Sequence, residues 1–144
     1  MPQVTRSIQI HAPPAAVWRW LATQEALRRW VSPTIEIDLR PGGAYRFLGP
    51  DEETWVSGVV LEFSPERELV LSWMEEGQGW VHPARLVIRL APTAAGAEVT
   101  LIHDGFAGIG KPDWAGTVDN YESGADHHRI LEKLADLVTI DVGG

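Results

Sequence analysis

The sequence has no cysteine, which excludes disulfides, thiolate metal ligands and cysteine nucleophiles. It also lacks any apolar run near the ~20 residues needed to cross a bilayer, and Pro2-Gln3-Val4-Thr5-Arg6 has no basic-then-apolar signal profile. A cytoplasmic location without membrane contact is the expectation. Cations are scarce: 12 Lys and Arg face 20 Asp and Glu, for a net charge of -8, and no basic cluster exceeds Arg28-Arg29. That balance argues against nucleic acid as the main partner. The usual catalytic signatures are missing as well. There is no Gly-x-Ser-x-Gly elbow, no His-Glu-x-x-His pair and no phosphate loop; the glycine-rich stretch 105–110 has neither the Lys-Ser/Thr ending nor the dinucleotide spacing and reads as a flexible lid or entrance. His103 and Asp104 are adjacent, but strand neighbours point to opposite faces, so they form no dyad. No metal and no cofactor is expected.

What is present suits an ordinary globular domain. With 44% hydrophobic and 22% charged residues, 144 positions are read as one domain over 1–144, long enough to bury roughly 70% of the surface its unfolded chain exposes. Seven Trp against three Phe is the compositional oddity, and large aromatic area serves both a core and an apolar ligand.

The chain is organised around residues 114–138. Trp114, Val118, Tyr121, Ala125, His128, Leu131, Leu134 and Val138 recur at helical spacing, while Asp119, Asp126, Glu132 and Asp136 take the other face. Ahead of it, Ile8 and Ile10 alternate as a half-buried strand would. Pro14 opens one short helix, and Thr23 caps a second that ends near Trp30. A meander of strands follows, punctuated by Pro41-Gly42-Gly43, Gly49-Pro50-Asp51 and Ser64-Pro65-Glu66. Pairing Phe63 with Leu69, Trp73 with Trp80 and Leu90 with Ala97 gathers Trp55, Val59, Leu61, Leu71, Trp73, His82, Ile88, Val99 and His103 on one face. The fold class expected is α+β: a curved antiparallel sheet of six to seven strands wrapped around a long C-terminal helix.

The motifs in this order resemble a known family. Ala16-Val17-Trp18, Arg29-Trp30-Val31-Ser32-Pro33, Arg40-Pro41-Gly42-Gly43-Ala44-Tyr45-Arg46-Phe47, the run from Gly58 to Leu69 with Ser72-Trp73, and Thr100-Leu101-Ile102-His103-Asp104-Gly105-Phe106 are similar to homologues of the activator of the ninety-kilodalton heat-shock protein's ATPase. That family is a branch of the START-related, birch-pollen-allergen-like superfamily. The resemblance implies a helix-grip fold with a cavity between sheet and helix, and a chaperone partner or stress-response role as one functional class. The chain departs from the family's Gly-Trp in the last helix, where it has Gly124-Ala125.

The candidate site follows from the aromatic set. Trp55, Trp73, Trp80, His82, His103 and Tyr121, with Ala125 removing volume beside Gly124, are read as lining an apolar cavity with a few polar groups. Glu75 and Glu76 read as a solvated hairpin tip, and Leu61, Leu86, Ile88, Val99 and Leu101 as an aliphatic seal against Leu131 and Leu134. Three functions stay open: a non-enzymatic binder of a small apolar or aromatic molecule, a chaperone-linked interaction protein, and a cyclase-like or hydrolytic enzyme using pocket His or Tyr. The chain is read as a monomer or homodimer.

Overall fold

Alternating polarity extends the chain and a 3.6-residue period coils it, and both patterns are realised in the computed structural model, which describes residues 3–143. Strand β1 (Val4–Ile10) is followed by α1 (Pro14–Trp18) and α2 (Gln24–Trp30). Pro14 sits in the first turn of α1, where its missing N–H costs nothing. The Thr23 hydroxyl caps α2, accepting from the Ala26 N–H at 3.1 Å. Strands β2 (Glu36–Ile37), β3 (Ala44–Leu48), β4 (Trp55–Ser64), β5 (Glu68–Glu75), β6 (Ala84–Thr93) and β7 (Gly96–Asp104) form the meander. All seven strands join one antiparallel sheet in the order β1-β7-β6-β5-β4-β3-β2. Its concave face buries Leu69, Leu71, Ile88 and Val99 with Leu131, Leu134 and Val138 of the C-terminal helix. This is the helix-grip arrangement expected.

Three details of register differ from expectation. Leu90 faces Val99 rather than Ala97, because β6 runs on through Ala91, Pro92 and Thr93 and the hairpin turns more tightly. Trp73 faces Ala84 rather than Trp80, so residues 76–83 form a wider connection and Trp80 and His82 leave the sheet. Both shifts are even, which keeps inward residues inward. The third is odd. A bulge between Val60 and Glu62 inserts one residue into β4, so Val56 and Val60 turn inward and Trp55, Val59 and Leu61 turn outward. Val59 and Leu61 are accordingly 37% and 49% exposed.

The C-terminal helix is present but interrupted. Helix α3 (Trp114–His128) ends at Arg129, whose φ of 51° is left-handed, and α4 (Ile130–Gly143) resumes immediately. A left-handed conformation costs a non-glycine residue ~1 to 2 kcal/mol. Arg129→Gly is therefore expected to raise the unfolding free energy by about 1 kcal/mol, the exposed Arg129–Glu132 pair it removes being worth little. Urea denaturation of the variant checks this; a loss of stability would mean that the break is not strained. Among the described residues no helix is long and apolar enough to cross a membrane.

Candidate binding site

A sheet that curls around a helix leaves unfilled volume wherever the facing side chains are small. Here that volume is a cavity of about 780 Å³ between the concave face and the C-terminal helices. Phe47, Val56, Trp73, Leu86, Ile88 and Leu101 form its sheet wall, and Tyr121, Gly124, Ala125 and Leu131 its helix wall. Residues 49–52 with Arg129 and Lys133 border its mouth. A Cβ built on Gly124 would meet only the His128 ring within 4 Å, at 3.6 Å, so this turn of α3 leaves space rather than filling it.

One end of the cavity is polar. The inward row Leu69, Leu71, Trp73 of β5 continues to Glu75, which lies opposite buried Val56. The Tyr121 hydroxyl donates to Glu75 Oε2 in a short hydrogen bond and accepts from Trp73 Nε1 at 2.8 Å. Burial, reinforced by the Glu75 carboxylate, pushes the Tyr121 hydroxyl well above its usual range and keeps it protonated. His103, inward on β7 and only 4% exposed, packs edge-on against Trp73 and Tyr121, with ring centroids 4.7 and 4.6 Å apart. Its Nε2 has no hydrogen-bond partner among the described residues. Burial holds its pKa down to about 3, with Asp104 pulling weakly the other way, so the ring is neutral near pH 7.

The sign of the resulting pH dependence is fixed. The unfolded chain binds the His103 proton near 6.5 and the folded one near 3, so the contribution is whole above 6.5 and is lost as pH falls through that window. A slope of up to ~1.4 kcal/mol per pH unit is expected from this group. Chemical denaturation between these pH limits should show that slope reduced in His103→Phe; parallel curves would mean that His103 titrates normally.

The candidate residues divide accordingly. Trp73, His103, Tyr121 and Ala125 meet at the cavity. Trp55 does not: the β4 bulge turns it outward, where the Arg46 guanidinium stacks 4.0 Å from its ring centre. Trp80 lies in a second apolar cluster with Val4, Phe106, Ile109 and Val118, and makes no ring pair with Trp73 among the described residues. His82 is exposed on the β5–β6 connection, away from His103, whose cross-strand neighbours are Val4 and Leu86. The stretch after β7 is a plug rather than a lid. Phe106 and Ile109 are both 0% exposed, and the Ile109 carbonyl accepts from the Val81 N–H at 2.7 Å. Leu86, Ile88, Leu101 and Leu131 border the cavity instead of sealing it, whereas Leu61 faces outward. Glu75, read from sequence as part of a solvated tip, is the site residue that was missed; the alternation Leu69, Leu71, Trp73 extended by one step would have found it. Glu76 does face out, held by Arg46 at 2.8 Å.

Comparison with known proteins agrees with this architecture. A search of curated proteins found no match. Among solved structures, protein MLL2253 of Mesorhizobium loti is similar at a TM-score of 0.77 and 20% identity, over 94% of this chain and 96% of that one. Protein NE0264 of Nitrosomonas europaea is similar at 0.72 and 22%, over 99% and 97%. The Aha1 dimer of Colwellia psychrerythraea is similar at 0.70 and 15%, over 96% of each chain. At such identities these likenesses establish the fold. The family profile for "Activator of Hsp90 ATPase homolog 1-like protein" matches residues 11–138, nearly the whole sheet-and-helix unit, and the chain belongs to that family.

Proposed function

We propose that this protein is a small cytoplasmic binding protein that holds an apolar or aromatic small molecule between its sheet and C-terminal helix. The observation carrying this reading is the cavity itself: about 780 Å³, walled mainly by aliphatic and aromatic side chains, with Tyr121, Glu75 and His103 gathered at one end. Ligand sites are commonly apolar clefts of ~300 to 1,000 Å³ with a few convergent polar groups. Binding is favoured over proton-transfer catalysis because a general acid or base works best with a pKa near the operating pH. His103 is depressed to about 3 and Tyr121 is raised, so neither is poised for that task. In the test, an apolar aromatic probe is titrated against the protein by nuclear magnetic resonance. Shifts centred on Trp73, Tyr121 and Ala125 support the reading, and shifts confined to the outer face or absent altogether contradict it.

Contact with a chaperone is the second reading, favoured by the family's description as a heat-shock ATPase activator homologue. Stimulation of a chaperone's ATPase by the purified chain would support it. Self-association is consistent with the dimer formed by the similar Aha1 protein of Colwellia. We take a homodimer as the alternative to a monomer, to be decided by sedimentation.

A further inference from the structure

The cavity wall includes donors such as Arg6, Asn120, Arg129 and Lys133, but the cluster of Trp73, Glu75, His103 and Tyr121 has a short polar inventory of its own. Trp73 spends its N–H on the Tyr121 hydroxyl, and Tyr121 spends its proton on Glu75, so neither donor remains for a ligand. What remains is acceptor capacity on Glu75, beside a neutral His103 ring that carries one N–H donor and one acceptor nitrogen. Glu75 is a carboxylate with an oxygen, Oε1, that no described residue engages, and His103, neutral and nine-tenths or more buried, leaves Nε2 unpartnered. Buried polar groups without partners are uncommon and point to a missing one. A molecule that fills this end therefore meets Glu75 best with a hydrogen-bond donor.

The surroundings of Glu75 narrow the class further. Phe47, Trp73 and Tyr121 all border the cavity, with Trp73 inclined at 62° to Phe47 and at 80° to Tyr121. Rings set at such angles present π-faces in several directions, an arrangement that attracts an organic cation. Two cations at the mouth are already paired, Arg6 with Asp126 at 3.0 Å and Arg129 with Glu132 at 4.0 Å, and the chain carries a net charge of -8. Lys133, exposed at the rim, is the one described cation there with no ion pair, and it would draw a carboxylate; a matched acid is thus the informative rival.

Building on the binding reading above, we propose that the ligand is an apolar amine, its ammonium seated between Glu75 and the rings of Trp73 and Tyr121 and its hydrocarbon part lying along Ile88 and Ala125. The ammonium supplies a donor to the free Glu75 oxygen, and the carboxylate offsets the loss of its hydration in a charge-assisted hydrogen bond.

Three probes of one shape, naphthylethylamine, naphthylethanol and naphthylacetic acid, test this by isothermal titration calorimetry near neutral pH. The amine is expected to bind the wild-type protein about tenfold more tightly than the alcohol or the acid, the margin of one charge-assisted contact. Glu75→Gln should erase that margin, because the amine loses a charge-assisted contact while the alcohol loses only a neutral donor's weaker one. An alcohol or acid that binds as tightly as the amine, or an amine preference that survives Glu75→Gln, overturns the proposal while the cavity reading stands. An amine that fails to bind overturns it too, and absence of uptake of the neutral dye Nile red in the same protein would remove the cavity reading as well. The ranking of the three probes on the wild-type chain decides the matter even if Glu75→Gln does not fold.

Discussion

Ala125→Trp is expected to abolish uptake of Nile red while leaving the protein folded and at least as stable as the wild type. Ala125 and Gly124 sit on the helix wall of a cavity of about 780 Å³. An engineered apolar void of only ~150 Å³ already holds a benzene molecule. An indole therefore enters existing space and buries new apolar surface, worth ~25 cal/mol per Å² removed from water. Against this stands a helix-propensity loss of about 0.5 kcal/mol. The net change should be small or favourable. A filled cavity predicts the opposite sign, because an indole forced into a packed core typically costs ~1 to 3 kcal/mol. Thermal melts with and without the dye separate the two: a lower melting temperature in the variant, with no dye uptake by the wild type, would show the space to be occupied already.

Phe106→Ala should be the most damaging single truncation near the site, costing ~3 to 5 kcal/mol, or a fall in melting temperature of roughly 10 °C for a domain of this size. Phe106 is 0% exposed and touches three rings at once, those of His103 at 4.8 Å, Tyr121 at 5.4 Å and Trp80 at 6.4 Å. Its removal would also release Tyr121 and His103 from their orientation, so probe affinity should fall along with stability. A mobile lid predicts otherwise: truncating an exposed loop side chain usually changes stability by less than ~0.5 kcal/mol. Differential scanning calorimetry on the variant distinguishes plug from lid, and a shift of only a degree or two would restore the lid.

What the sequence made legible was whatever rests on a long or repeated period. The stripe Trp114, Val118, Tyr121, Ala125, Leu131, Leu134, Val138 does face the sheet, because each buried position is reinforced by its neighbours one turn away. His103 does face inward, because the even shift of the β6–β7 register preserves the face. Features set by a single residue were not legible. One extra residue at the β4 bulge moved Trp55 out of the cavity and onto Arg46, and nothing in the alternation of Trp55, Ser57, Val59 and Leu61 announces it. The left-handed turn at Arg129 is likewise invisible to periodicity, since apolar residues resume on the correct face beyond it. The length of the β5–β6 connection depended on where Phe106 and Ile109 dock, a long-range packing choice, and it carried Trp80 and His82 away from the site. Glu75 was hidden differently. A carboxylate at the end of an apolar row reads as the strand's solvent end until Tyr121, 46 residues away, is seen to bond it.

The central claim is that the space between sheet and helix holds a small molecule. Native mass spectrometry of the chain purified from its own host, beside Ala125→Trp purified in the same way, tests it most directly. The account predicts a discrete mass above that of the bare wild-type chain, lost on denaturation and missing from the variant. A wild-type chain that flies at its bare mass and takes up no apolar probe on titration would contradict it.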